Sequence, residues 1–475
     1  MLNHGINTNK TATNFASVRT GTVGIPFFVG CWPVHLGKGY TGVPQIAYGF
    51  DGAKELGGYS DEWRTEDGDP KWTLCEAMYS QFKLFMAAPA IFHNIFNPEI
   101  HKKAVESSAK TVTDHIVSLS LDVIKDDSFI VIAGEDTLVE GTDYEACYTD
   151  SNLVIELLKD GKAYDAVSVN VSYNEVDLSK ITETDVSSAI ESVEQCKARF
   201  GIVPDLLAAP GWSQNNVVAS ILAAKASSIN GIFMAKAVVD LDTSESAANT
   251  WDKVAEYKNE NGYISDEMIV CWPLIKVGDR IFNYSTLLCG RIASTDEENG
   301  NVPFESPSNK ALPISGCVNK AGEEILLTVQ QADAISYSAG VVTAINYDGW
   351  VVWGNYMGCH PSVNDVAKEF ICTSRMQDFI CNTFVKTYWS YLDKPLTRVL
   401  IDAIVNSFNS WLAGLTHEGK LYKGEIAYVE DNNPTANLIA GHFRLDASVA
   451  SPVPAQRADL FVEFDVDALT EALNG

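Results

Sequence analysis

The pattern of apolar and polar positions divides the chain into segments with different periods. Between residues 98 and 173, short apolar runs such as FIVIAG, LVIELL and AVSVNVSY alternate with turns of Asp, Gly and Asn, which is typical of antiparallel strands. From Ile181 onward, helical stretches alternate with strands that are apolar on both faces, as in DLLAAPG and MIVCWPLI. Such strands are typical of a parallel sheet covered by helices. The sequence therefore predicts an α/β core with an inserted antiparallel β domain.

Local signals mark the ends of several elements in this core. Thr184 or Asp185 is expected to cap a helix that ends at Gly201, because hydroxyl and carboxylate side chains accept hydrogen bonds from the first free amides and glycine tolerates the left-handed conformation. Polar residues with Pro and Gly steps fill residues 295–323, which are predicted to be surface loop.

The strongest helix patterns lie in the C-terminal third. Residues 375–392 place apolar side chains on one face of a first helix. A second helix is predicted to begin at Pro395, a residue suited to the first helical turn, and to end before Gly419. Strands are expected to follow near residues 424–429 and 438–449, so the C-terminal part is predicted to be an α+β domain.

Both ends of the chain are predicted to be extended arms. Residues 1–20 are rich in Asn and Thr and show little pattern. Residues 456–475 follow two prolines, and their apolar and acidic residues alternate, which predicts a strand with one wet face. Its backbone groups stay unpaired unless the strand joins the edge of another sheet. The candidate inter-subunit strand consists of Leu460, Phe461, Val462, Glu463, Phe464, Asp465 and Val466.

Composition limits the classes of partner. The 475 residues suffice for about two or three domains, and 46% apolar with 20% charged residues is typical of a folded protein. A net charge of −28 disfavours binding to nucleic acid or to an anionic membrane. No run approaches the roughly 18 apolar residues of a membrane span. The expected partners are proteins, and the chain is expected to be made in a cytoplasm.

The sequence contains only weak candidates for cofactor-binding or catalytic motifs. The GxGxxG match from Gly37 to Gly42 follows a strand, but Pro44 comes next instead of a helix, so we interpret it as a flexible loop. Ser213 lies between a strand and a helix, where some hydrolases hold a nucleophile. No GxSxG elbow surrounds it, and the N-cap of the following helix is the better interpretation.

The cysteines do not form a recognisable metal site. The ten cysteines are scattered singly, mostly inside apolar runs, as reduced buried thiols are. Cys359, His360, Cys372 and Cys381 lack the spacing of zinc knuckles. We therefore expect no catalytic, cofactor-binding or metal-binding residues and no enzymatic activity.

The order of several motifs resembles the contractile phage tail sheath family over nearly the whole chain. The N-terminal GTVGIPFFVGCWPV resembles the entry strand and turn of that family, although Cys31 and Val34 depart from it. TLVEGTDYEACY and VSVNVSY resemble its β insertion, and DLLAAPGWSQNN resembles its strand, Pro-Gly and helix step. Most specific are GWVVWGNYM, SRMQDFICNTF, LTHEGKLYKGEIAYVEDNN and the segment after SPVPAQ, which follow one another in the family's order.

The resemblance implies a structural subunit of a virion or phage-tail-like particle, produced in a bacterial host cytoplasm. Such a subunit polymerises as stacked hexameric rings around a tail tube and contracts to drive the tube through a cell envelope. The implied partners are neighbouring copies bound through the two arms, the tube protein, and baseplate and tail-terminator proteins. Lys394 and Arg398, at the start of the second C-terminal helix, are candidate tube-facing residues.

The chain is expected to divide into a core, an inserted domain, a C-terminal domain and two arms. The α/β core is expected at residues 21–97 and 177–348, the inserted β domain on the outer surface at 98–176, and the C-terminal domain at 349–455, between arms at 1–20 and 456–475. The alternatives are a hydrolase-like α/β enzyme with a β insertion and another structural protein of a tail or baseplate.

Overall fold

The computed structural model describes residues 21 and 23–474, so the predicted arm at residues 1–20 lies outside the described residues. The strands in this part of the chain are β1 Pro26–Gly30, β2 Pro44–Ala47, β3 Ala90–Asn94, β4 Lys102–Thr111, β5 Ile116–Leu119, β6 Val123–Ile124, β7 Ile130–Ala133, β8 Asp136–Thr137, β9 Tyr144–Tyr148, β10 Leu153–Leu157, β11 Ser168–Val176, β12 Leu206–Ala208, β13 Lys236–Asp240, β14 Met268–Cys271, β15 Leu274–Val277, β16 Arg280–Phe282, β17 Gly316–Val318, β18 Val341–Asn346, β19 Trp350–Trp353, β20 Lys423–Ala427 and β21 Asp446–Ala450.

The α-helices in the same residues are α1 Phe50–Gly57, α2 Thr73–Tyr79, α3 Glu183–Glu191, α4 Cys196–Phe200, α5 Asn216–Ser227, α6 Val254–Glu260, α7 Tyr284–Glu298, α8 Val329–Asp333, α9 Val366–Glu369, α10 Ile371–Tyr388, α11 Arg398–His417, α12 Thr435–Ile439 and α13 Val466–Asn474. No helix in the described ranges is long and apolar enough to span a membrane.

Eight strands form the central sheet, in the order β19-β18-β14-β13-β12-β1-β3-β2. The six inner strands run parallel, and the edge strands β2 and β19 run antiparallel to their neighbours. Every residue of β1, β3, β12, β13 and β14 is buried, which requires cover on both faces of the sheet. The prediction of a mainly parallel sheet covered by helices is confirmed.

Antiparallel structure fills the chain between β3 and α3, where the sequence predicted it. One sheet has the order β5-β10-β9, and another pairs β4, β11, β7 and β8. Their apolar side chains form a hydrophobic cluster of their own, with Val131, Leu153, Ile155 and Val171 fully buried. The side chains in this cluster are separate from the large cluster around the central sheet.

The prediction of a surface loop at residues 295–323 is wrong at both ends of that range. The long helix α7 continues to Glu298, with Thr295 and Asp296 buried, and Gly316–Val318 forms a buried strand in a sheet with β15 and β16. The polar composition misled because Asp296 is buried against Arg375 instead of facing water.

Two predicted helix starts differ from the observed ones by a few residues, and the capping side chains explain the difference. Thr182, and not Thr184 or Asp185, is the N-cap of α3, and Asp185 completes a capping box with it. Gly201 ends α4 in the left-handed conformation, with φ of 71°, as predicted. The second C-terminal helix begins at Arg398 and not at Pro395, because the Thr397 side chain accepts a hydrogen bond from the Leu400 N–H.

The C-terminal helices and the β20–β21 hairpin share a third hydrophobic cluster. Met376, Phe379, Phe408 and Leu412 from α10 and α11 are buried in it, and Ile426 of β20 packs beside them. Gly419 follows α11 with φ of 76°, so the predicted end of this helix is confirmed.

Candidate subunit interface

The predicted inter-subunit strand is not formed in the single chain. Residues 451–465 have no regular secondary structure, and Val466–Asn474 is the helix α13. The prediction of a strand over residues 466–474 is therefore wrong. A helix satisfies its own backbone hydrogen bonds, and Asp465 caps it by accepting one from the Ala468 N–H at 2.9 Å, whereas a strand here would need the edge of another sheet.

All side chains from residue 455 to residue 474 face solvent. Phe461 is 92% exposed and Leu460 87%, values that apolar side chains rarely keep in a finished assembly. In α13, Val466, Leu469 and Leu473 form one apolar stripe, and they are also exposed. Apolar residues spaced three and four positions apart after an Asp cap are typical of a helix, and the strand prediction overlooked this signal.

The β20–β21 hairpin is a two-stranded sheet within the described residues, and it packs on α11 through β20. The Asn409 side chain of α11 covers the outer edge of β20, since it accepts from the Ile426 N–H at 2.7 Å and donates to the Ile426 carbonyl at 2.9 Å. No described strand pairs with the outer edge of β21. This edge is open to a strand from elsewhere.

Lys394 and Arg398, the candidate tube-facing residues, lie at the turn between α10 and α11. The Lys394 Nζ is 4.0 Å from the centre of the Tyr391 ring. The Arg398 guanidinium lies 2.9 Å from the Asp402 carboxylate and 5.1 Å from the Tyr428 ring centre. Both cations are exposed: Lys394 lies in the turn before α11, and Arg398 is the first residue of α11.

Buried ion pairs attach these C-terminal helices to the central sheet. Arg375 of α10 contacts Asp205, just before β12, at 2.7 Å, and contacts Asp296 of α7 at 2.5 Å. Asp378 of α10 contacts Lys236 of β13 at 2.8 Å. Sequence reasoning missed this cluster, although charged residues inside the apolar run SRMQDFI were a signal for it. The cluster makes α10 part of the core.

A second buried polar cluster contains Glu76 and Ser213, the residue considered above as a nucleophile. Burial raises the pKa of the Glu76 carboxyl to about 7, and that carboxylate accepts hydrogen bonds from the Asn283 N–H and side-chain amide. The Ser213 Oγ accepts from the Asp240 N–H at 3.0 Å, and Asn215 is the N-cap of α5. The prediction of Ser213 as the cap is therefore wrong, and its hydroxyl joins the end of β13 to the loop before α5.

The remaining candidates have structural partners. His360 contacts the Glu369 carboxylate at 2.9 Å and the Tyr337 carbonyl at 2.6 Å. No group of three or more His, Cys, Asp or Glu side chains in the described part of the chain could hold a metal ion. The Gly37 to Gly42 segment is a loop, but a packed one, because a Cβ at Gly37 would lie 2.4 Å from the Leu56 carbonyl.

Known proteins similar to this chain are subunits of contractile machines. The tail sheath protein of Burkholderia phage BcepMu is 24% identical over 416 residues, which cover 80% of this chain and 83% of that protein. The helical sheath subunit of the anti-feeding prophage in its contracted state has a TM-score of 0.58 at 14% identity, covering 98% of this chain and all of that one. The contracted sheath of an extracellular contractile injection system, PVC, gives a TM-score of 0.58 at 12% identity and covers 98% and 99%. No model of a known protein family matches.

The fold and the sequence relatives together define a structural protein of a tail-like particle, and not an enzyme. The chain belongs to the contractile tail sheath family, which is represented in phages, prophages and injection systems. It is a tail sheath subunit, and the hydrolase-like alternative is therefore wrong.

Proposed function

We propose that this sheath subunit polymerises as stacked hexameric rings around a tail tube and that the rings contract to drive the tube through a cell envelope. Two observations support the assembly step: the outer edge of β21 has no partner strand among the described residues, and residues 460–465 are exposed and without regular secondary structure. Baseplate and tail-terminator proteins are the further proposed partners, at the two ends of the sheath.

In this proposal, the extended residues Leu460 to Asp465 of one subunit add as a strand to the β20–β21 sheet of a neighbour. The strand would exchange exposed backbone groups for sheet hydrogen bonds and would bury apolar side chains such as Phe461 and Phe464. Each hydrogen bond contributes only about 0.5 to 1.5 kcal/mol net, so a single arm binds weakly and a lattice of arms binds strongly. We propose the same kind of contact for residues 1–20.

The proposed roles of the domains follow the hydrophobic clusters, except that Val352, Met357 and Ile371 of the C-terminal part pack in the cluster of the core. Residues 21–97 and 177–348 would form the rigid core, 98–176 the outer β domain, and 349–455 the domain that carries Lys394 and Arg398 toward the tube. Contraction would change the packing between subunits while the arms keep neighbours linked. The buried ion pairs of Arg375 support movement of the core and α10 as one body.

Deletion of residues 456–475 tests the arm contact. The truncated chain should remain a folded, soluble monomer, because none of the deleted side chains that the structure describes is buried. The full chain should form sheath-like tubes under the electron microscope at the same concentration. Tubes of normal width and length from the truncated chain would contradict the proposal.

A further inference from the structure

An apolar groove lies between the end of α10, the start of α11 and the segment before β21. Its lining comes from four separate parts of the chain, and we call it the Trp389 groove, lined by Ile232, Tyr388, Trp389, Leu392, Leu400 and Phe443. Trp389 is 61% exposed and Leu392 60%, so two large apolar side chains stand in solvent here. Exposed apolar surface that forms a groove usually marks a binding site.

Cations border the Trp389 groove in a chain that is otherwise strongly acidic. Lys197 and Lys386 line a neighbouring cavity that shares Ile232 and Trp389 with the groove, and Lys394 follows Leu392 in the sequence. Asp393 is the nearest acidic residue in the sequence of this turn. The surroundings of the groove therefore favour an occupant that is apolar on one side and acidic on the other.

The helix α13 has these two properties. Val466, Leu469 and Leu473 form its apolar stripe, and all three are exposed. Five acidic residues occur in and just before the helix: Asp459, Glu463, Asp465, Asp467 and Glu471. Residues 1–20, by contrast, contain no Asp or Glu and carry Lys10 and Arg19. Charge therefore favours α13 over the N-terminal segment.

We propose that α13 of one copy docks its apolar stripe into the Trp389 groove of a second copy. Phe443 lines the groove three residues before β21, so the groove adjoins the open edge at which the extended residues before α13 are proposed to pair. The helix then anchors the arm by side-chain burial, in addition to backbone pairing. This inference rests on the proposed assembly of the sheath through its arms.

Matched charge substitutions in the full chain test the contact. Leu469→Asp places a carboxylate in the apolar stripe, and Ala468→Asp adds the same charge on the opposite face of α13. Leu392→Asp changes the groove, and Val399→Asp changes an exposed apolar residue outside its lining. We expect L469D and L392D to raise the concentration needed for assembly by about ten-fold or more, since each replaces a leucine that docking would bury. A468D and V399D should assemble as the unmodified chain does, as measured by sedimentation velocity.

A mixing experiment identifies the occupant. L469D keeps an intact groove and L392D keeps an intact helix, so an equal mixture should form a heterodimer that neither variant forms alone. If the mixture associates no more than its components, the groove holds its own chain's helix, residues 1–20 or another protein, and the inference is wrong. Equal effects of L469D and A468D would also overturn it.

If the unmodified chain forms tubes and L469D forms them at the same concentration, this inference alone fails. If the unmodified chain never assembles, the proposed function fails with it.

Discussion

Arg375 and Asp296 form a bidentate ion pair in the interior of the protein, with Nη1 to Oδ1 at 3.0 Å and Nη2 to Oδ2 at 2.5 Å. Their side chains are 3% and 2% exposed. The pair joins α10 to the end of α7, and the same guanidinium also contacts Asp205. It therefore connects the helices that carry the proposed interface to the central sheet.

Removal of this guanidinium should destabilise the fold strongly. Arg375→Met keeps most of the side-chain volume but leaves Asp205 and Asp296 buried without their cation, which costs about 3 to 5 kcal/mol. The free energy of unfolding, measured by urea titration of the monomer at low salt, should fall by that amount. Arg398→Ala removes an exposed ion pair and should change it by less than about 1 kcal/mol. Equal losses in the two variants would contradict the proposed role of the pair.

Stability should decrease as the pH rises toward neutrality, and Glu76 should be one cause. Burial raises the pKa of its carboxyl from 4.5 to about 7. The folded chain therefore holds the proton more tightly than the unfolded chain. The stabilisation from this group is present below a pH of about 4.5 and is lost as the pH rises through about 7, up to about 3 kcal/mol in all.

Glu76→Gln should reduce the pH dependence of the unfolding free energy between pH 5 and about 8. The dependence should not vanish, because burial also raises the pKa of Asp240 to about 6. Glu55→Gln, at a side chain that is 63% exposed, is the control and should leave the slope unchanged. A slope in E76Q that matches that of the unmodified chain would exclude Glu76 as a source.

A proline in β21 should impair assembly without unfolding the subunit. Ala447 is exposed and lies opposite Ile426, whose own N–H and carbonyl face Asn409, so the Ala447 N–H points to the open edge. Ala447→Pro removes this donor and should reduce tube formation in electron micrographs. Ala447→Ser keeps the N–H and should form tubes normally. Normal tubes from A447P would argue against strand addition at β21.

Assembly should depend on ionic strength. Subunits with a net charge of −28 repel one another unless charges pair across their interfaces. The screening length falls from about 30 Å at 0.01 M salt to about 8 Å at 0.15 M, so added salt should favour tubes over monomers in this range. Light scattering at fixed protein concentration measures the change. The same extent of assembly at both salt concentrations would show that long-range repulsion is unimportant here.

Much of the core could be predicted from the sequence, because parallel strands that are buried on both faces read as continuous apolar runs. The strands at Leu206–Ala208 and Met268–Cys271 were found in this way. The helix α7 was missed because its end is polar, and only the tertiary contact with Arg375 explains why Asp296 is buried. A local sequence pattern predicts burial correctly only when residues that are distant in sequence do not change the environment of the side chain.

The candidate interface shows the same limit. Alternation of apolar and acidic residues marked residues 460–466 as a candidate interface, but it predicted a strand where a capped helix follows. A period of two and a helical stripe are hard to separate over so few residues, and a strand needs a partner edge that one chain does not supply. The Trp389 groove had no sequence signal, because Ile232, Trp389 and Phe443 are far apart along the chain.

The sequence by itself determined the parallel core, the antiparallel insertion and the family, because burial on both faces, alternation and motif order are all properties of local segments. Only the tertiary structure decided the strand order, the burial of Arg375 with its carboxylates, and the groove beside β21. These depend on which distant segments pack together, and packing is set by the complementary shapes and charges of whole surfaces.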